Sequence, residues 1–366
     1  MEMAQPNTGA NIQQGMAIYR KPQATSPEFC IGHWKSGGVP RLEEKSTFCI
    51  HPFHAKSPLS WLDSETSGAG WQSCEQVWLD ANREGNVAIP EGLGTPSTSR
   101  DQFFAEVLGI QNAIAVGELQ KAVAARALTE EKPMAASGLW RSFCELHQAY
   151  PNAFLFLIIH PLWGCWMGAT PETLLQVNNH EGKVMSLAGT LTKDQAGWTD
   201  KEALEQSVTS RFICEVLAEE GISGATETAV GELQMGDVRH LMSEWRFDLP
   251  TNQTTMGEGH SVDEQFQKQI GSLIDRLHPT PAVGGYPKQL ALDWLSKNEN
   301  LDRSLYTGFV GMLGPKEVVL FVTLRCVQLF SGGFTLYAGC GVNAGSDPEI
   351  EWDETTAKME LLRQFL

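Results

Sequence analysis

The final stretch of the chain, Ser346 to Leu366, carries two carboxylates and a lysine spaced for one face of a helix. Glu351 and Glu354 stand i, i+3 and Lys358 follows four residues later, so all three fall on one stripe. Ser346 is placed to cap that helix, Pro348 suits its first turn, and Glu349 completes a capping box. Neighbouring carboxylates repel unless something cationic lies between them, and a hard divalent ion with oxygen ligands and retained waters is one solution. The plainer alternative is a solvated helix face with an i, i+4 Glu–Lys pair. Chemistry is favoured by the lead-in, Tyr337-Ala-Gly-Cys-Gly-Val-Asn-Ala-Gly-Ser346, whose glycines let backbone come close to a ligand just before the helix begins.

Four further stretches stand out. Glu172 follows Ala169-Thr-Pro at a turn between two expected strands, either a catalytic acid or a turn carboxylate. Gly189 and Thr190 close a strand in a way that permits close approach. Glu205 lies on a predicted helix that begins at Lys201 and ends before Gly221. His278-Pro-Thr-Pro-Ala-Val-Gly-Gly285 is too rigid and apolar for an ordinary loop, and Arg325 ends an apolar run where it needs a ligand carboxylate or an internal acid.

The elements that must position these residues read as α+β. Strands are predicted over 153–160, 163–169, 174–177, 183–187, 306–313, 317–329 and 334–338, and helices over 101–113, 201–220, 262–277 and 288–297. Residues 118–128 read as helix or strand. Residues 48–53 read as an edge strand interrupted by Pro52, and the rest of 16–88 as largely irregular. Residues 1–14 are expected to be disordered, 251–259 to form a polar loop, and 15–366 to form one domain built from long antiparallel strands with helices.

At 366 residues the chain can bury a large core. Its formal charge of −17, from 27 Lys+Arg against 44 Asp+Glu, argues against nucleic acid or an anionic membrane as partner. An anionic substrate would need a basic island in this acidic surface. The eight cysteines form no CxxC pair and read as buried thiols of a reducing, cytoplasmic protein. Neither a leader nor an apolar run of about 18 residues is evident.

In this order the motifs resemble the chorismate-utilising enzyme family over residues 103 to 366, and within it the isochorismate synthases. The resemblance implies a large antiparallel-sheet sandwich, chorismate as small-molecule substrate, a monomer, and Mg²⁺ as cofactor. It implies that Lys121, in Gly117-Glu-Leu-Gln-Lys121-Ala-Val-Ala-Ala-Arg126, is the base that activates water and Glu172 the acid. Glu205, Glu351 and Glu354 match the metal-holding positions. Arg325 and Lys358 match cations that meet the substrate carboxylates, while Gly189, Thr190, His240, Gly339 and Gly341 line the cleft. Such a lysine needs a lowered pKa and such a glutamate a raised one. Ala188 stands where aminodeoxychorismate synthases carry a lysine nucleophile, and Lys121 where ammonia-using relatives carry Gln, which favours water. Gln206, where most relatives have His, and Val342-Asn343 depart from the pattern. Salicylate synthase, which eliminates pyruvate from the same intermediate, and a non-catalytic chorismate binder are the alternatives; menaquinone and siderophore synthesis are the routes such a product would serve.

Overall fold

The chain is described here from a computed structural model covering residues 14–40, 45–54, 57–83, 89–192, 195, 197–249 and 262–366. The expected disordered start, up to residue 13, and the polar loop at 251–259 lie outside the described residues. Four strands open it, β1 (Gln14–Arg20), β2 (Glu28–Gly37), β3 (Thr47–His51) and β4 (Leu59–Ala69), followed by α1 (Trp71–Arg83) and α2 (Arg100–Ala115). Then come β5 (Lys121–Glu130), α3 (Ala136–Ala149), β6 (Phe154–His160), β7 (Gly164–Thr170), β8 (Thr173–Asn178), β9 (Glu181–Thr192) and α4 (Asp200–Glu219). After these follow β10 (Thr226–Glu227), β11 (Gly231–Met235), β12 (Val238–Asp248), α5 (Val262–Leu277), β13 (Gly285–Tyr286) and α6 (Lys288–Asn298). The last elements are β14 (Phe309–Leu313), β15 (Glu317–Val322), β16 (Cys326–Phe330), β17 (Gly333–Val342) and α7 (Pro348–Arg363).

Every residue of β6 is buried because both faces of the strand are covered. Phe154, Phe156 and Ile158 enter one core with Tyr19, Phe48, Phe321 and Tyr337. Leu155, Leu157 and Ile159 enter another with Phe143, Leu146 and Leu361. Alternation along a strand with apolar packing on both sides leaves a continuous apolar run rather than a period-two pattern.

The strand pairs are all antiparallel. Followed along its hydrogen bonds, the ladder runs β13-β5-β17-β16-β7-β6-β1-β2-β4-β3-β14-β15-β8-β9-β12, with β10 and β11 on the far side of β12. β4 is the corner, pairing with β2 on one side and β3 on the other. The two halves of the ladder face each other across an aromatic core in which Phe154 of one half stacks on Phe321 of the other, centroids 4.7 Å apart. Helices α1 and α3 and the end of α7 cover the outer face of the first half, and α4 and α5 that of the second. Helices α2 and α6 pack on β5 and β17. The result is the α+β antiparallel sandwich read from the sequence.

Three readings change. The strand at 47–51 is not an edge, because β14 and β4 flank it; Pro52 falls just past its end. Residues 14–83 hold three more strands and a helix. A register shift between Ile31 and Gly32 flips the face pattern of β2, and the second half of β4 is solvent-exposed, so neither gives a clean alternation. The run 317–329 is two strands, broken where Arg325 takes a left-handed conformation with φ of 46°. The ambiguous 118–128 resolves as β5. All eight cysteines are free and six are buried. Among the described residues no helix is long and apolar enough to cross a membrane.

At the end of β9 the register skips Gly189, so that His240 faces Thr190 and Leu241 faces Ala188. This bulge needs a left-handed residue, and Gly189 supplies it at φ of 76°. A Cβ there would also come within 2.9 Å of Glu202 Cβ. Gly189→Ala is expected to cost about 1–3 kcal/mol, read as a lower midpoint of urea unfolding; an unchanged midpoint would show that the bulge tolerates a side chain.

Candidate active site

Helix α7 brings the acidic stripe inward. Its cap is Asp347, one residue later than expected: Asp347 Oδ1 accepts from the backbone amides of Glu349 at 2.8 Å and Ile350 at 3.4 Å. Ser346 instead closes the preceding turn, its hydroxyl accepting from the Asn343 amide at 3.1 Å. Pro348 takes the first turn as expected. The helix is fastened to β5 by Arg126, which stacks on Trp352 at 3.8 Å and donates to the hydroxyls of Thr355 and Thr356 at 2.6 Å each. So held, Glu351, Glu354 and Lys358 are all buried rather than solvated, which removes the plainer reading of the stripe.

Lys358 Nζ donates to Glu354 Oε1 at 2.5 Å and to the Gly339 carbonyl at 2.9 Å, joining α7 to β17. Helix α4, opened by a Thr199–Glu202 capping box, lays Glu205 beside β5. Lys121, the first residue of β5, points its amine to 3.3 Å of Glu205 Oε2. The close approach depends on Gly341, where a Cβ would fall 2.8 Å from Lys121 Cε and onto the Glu205 carboxylate. Lys201, one turn before Glu205, lies 2.5 Å from Glu351 Oε1 and 3.9 Å from Glu205 Oε1.

The opposite wall comes from two turns. Glu172 sits between β7 and β8, its carbonyl accepting from the Val322 amide at 3.0 Å, while Thr170 donates to the Val322 carbonyl at 2.6 Å. These bonds tie the Glu172 turn to the break that carries Arg325. The carboxyl of Glu172 is buried, and that desolvation pushes its pKa up to about 8 although Arg325, Lys121 and Lys358 pull the other way. Glu172 is therefore a neutral acid at pH 7, and its Oε1 has no hydrogen-bond partner among the described residues.

Arg325 donates to His240 Nε2 at 2.8 Å. A guanidinium can only donate, so that nitrogen is bare, and Nδ1 carries the proton toward the Gly189 carbonyl at 3.2 Å. Burial, with Arg325 and Lys358 nearby, holds the imidazole well below its ordinary pKa and hence neutral. The Nε of Arg325 is buried without a partner among the described residues. Glu351 is raised by burial and by Glu354 against the pull of Lys201; in Glu354 burial is outweighed by Lys358 and Lys201, and its pKa falls.

Lys121, Glu172, Glu205, His240, Arg325, Glu354 and Lys358 line one cleft, together with Gly189, Thr190, Gly339 and Gly341, whereas Lys201 and Glu351 do not. Of the His278–Gly285 loop, Ala282 and Val283 reach it, but His278 does not: its ring packs on His51 with centroids 4.9 Å apart. Gln206 turns away, donating to Ser243 Oγ at 2.9 Å, so it lies outside the cleft. Sequence reading missed Lys201 and Tyr306. The i, i+4 spacing of Lys201 to Glu205 was the available signal; Tyr306, in a turn before β14, offered none.

Glu205, Glu351 and Glu354 offer oxygen donors only, and Glu351 Oε2 has no hydrogen-bond partner among the described residues. Among those residues no three acidic, His or Cys side chains are placed to hold a metal ion as they stand, and Lys201 lies among the carboxylates. The match to a hard dication is one of donor chemistry, oxygen ligands with an orphaned buried carboxylate oxygen among them.

Comparison with known proteins bears on the same residues. A salicylate biosynthesis isochorismate synthase of Pseudomonas aeruginosa is 30% identical over 274 residues, 73% of this chain and 55% of the relative. The isochorismate synthase MenF of Escherichia coli is 28% identical over 292 residues, 74% of this chain and 63% of the relative. The chain thus matches less than two thirds of the length of either. The solved structure of MenF, the menaquinone-specific isochorismate synthase from Escherichia coli, superimposes with a TM-score of 0.74 at 19% identity, covering 96% of this chain and 88% of that one, a likeness of fold. The family model described as chorismate binding enzyme matches residues 68–366, which takes in α1 to α7 and every residue of the cleft. The chain belongs to the chorismate binding enzyme family.

Proposed function

We propose that this chain is an isochorismate synthase, isomerising chorismate to isochorismate with Mg²⁺. The observation that carries the reading is an amine and a neutral carboxylic acid, Lys121 and Glu172, on different walls of one buried cleft. Water is a poor nucleophile and hydroxide a poor leaving group, so one group must take a proton where the other gives one. Lys121 Nζ takes a proton as water oxygen bonds to C2. The ring double bonds shift, the C4–O bond breaks, and Glu172 protonates the departing hydroxyl, leaving an isomer of unchanged mass. Ala188 puts no amine at its point of the cleft for a covalent route.

Arg325 and Lys358 meet the two substrate carboxylates, giving an acidic chain the local positive charge that a dianion requires. Neutral His240 accepts from Arg325 without adding charge and so orients the guanidinium. The glycines at 339 and 341 leave room for the ring against the backbone. Held by Glu205, Glu351 and Glu354, Mg²⁺ would offset the ring carboxylate and draw electron density toward C1.

The pH dependence follows from Glu172. The acid form is present below its raised pKa and lost above it, so kcat/KM is expected to fall as pH rises through about 8. A profile that stays flat well above that pH would make another group the acid. Glu172→Gln and Lys121→Ala are each expected to lower kcat by about 10²–10⁴ with circular dichroism unchanged; turnover within a few-fold of the parent would remove that residue from the chemistry. Glu351→Gln is expected to abolish the rise in melting temperature that Mg²⁺ gives the parent, whereas an unchanged Mg²⁺ titration would take Glu351 out of the metal set.

A further inference from the structure

We propose that Lys201 is a resident counter-ion, holding the Glu205–Glu351–Glu354 cluster together in the metal-free protein and displaced when a divalent cation binds. The inference rests on the metal assignment above. Glu351 is wholly buried, and its Oε1 meets the Lys201 amine at 2.5 Å. The same amine stands 3.9 Å from Glu205 Oε1, so it spans carboxylates from α4 and α7. Without it, Glu351 would be left in a water-poor setting beside a second carboxylate, Glu354, already engaged by Lys358. One helix therefore delivers both a carboxylate of the cluster and the charge that stabilises it when empty.

A dication on the Glu351 carboxylate would stand within a few ångströms of the Lys201 ammonium, and the two like charges repel, so binding one disfavours the other. The lysine has somewhere to go. Its side chain is 17% exposed and borders a second, open cavity that shares Lys121 and Glu205 with the cleft. Asp200 lines that cavity too and offers the displaced amine a carboxylate. A flexible four-carbon stem makes the swing feasible without backbone movement.

The test compares the parent with Lys201→Met and Lys201→Arg. Melting is followed in EDTA and in Mg²⁺, and Mn²⁺ uptake by the electron paramagnetic resonance of the free ion. In EDTA, Lys201→Met is expected to melt roughly 5 °C below the parent and to recover in Mg²⁺, while Lys201→Arg stays near the parent. Lys201→Met is also expected to bind Mn²⁺ about tenfold more tightly, its competitor gone. Unchanged melting in EDTA, or Mn²⁺ affinity equal to or weaker than the parent's, would overturn the counter-ion role while the metal assignment stands. A parent protein that takes up no Mn²⁺ would sink both.

Discussion

Glu351 has no exposure to solvent, and a carboxylate so placed must meet a cation or take up a proton. Much of the site follows from that requirement. Helices α4 and α7 lie close enough for the Lys201 amine of one to reach Glu351 of the other. Lys358 does the same for Glu354 within α7, and the Gly339 carbonyl, accepting from the same amine, fixes the helix on β17. Lys121 answers Glu205 from the first residue of β5. Each carboxylate of the acidic face thus has its own amine, and each pair links two elements or two turns.

Glu172 satisfies the same physics by the opposite route. It is as buried as its counterparts, but the cations near it do not pair with it closely enough to hold it ionised, so it keeps its proton. The cleft consequently sets the Glu354 carboxylate, held ionised by its lysines, on the α7 side and a neutral acid across from it. Separating the two kinds of carboxyl by environment alone is how one pocket can hold a positive charge for an anionic ligand and still offer a proton. Arg325, set at a left-handed break between strands, is kept between the two walls by a neutral imidazole that takes one hydrogen bond and adds no charge.

Part of the cleft was legible in the sequence because some groups sit at regular spacing or beside rigid residues, while Lys121 and His240 came only from the family resemblance. The stripe Glu351, Glu354 and Lys358 follows from helical periodicity, and Glu172 from the Pro turn before it. What escaped was either irregular or cooperative. The register shift between Ile31 and Gly32 hid a long strand, β2, by reversing its faces, and the break at Arg325 hid a turn inside an apolar run. The cap moved from Ser346 to Asp347 because Ser346 was needed to close the Asn343 turn. Lys201 was in view as a helix start, but its role depends on a carboxylate of another helix far along the chain, a separation that periodicity does not bridge.

The central claim is that this cleft adds water at C2 of the ring and releases the C4 hydroxyl as water, leaving the composition unchanged. Its most direct test is product analysis by chromatography and mass spectrometry, with purified protein, chorismate and Mg²⁺, an EDTA control and a parallel reaction containing ammonia. An isomer of unchanged mass, formed only with Mg²⁺ and indifferent to ammonia, is the expected result. Salicylate with pyruvate, an aminated product, or no turnover at all would contradict it.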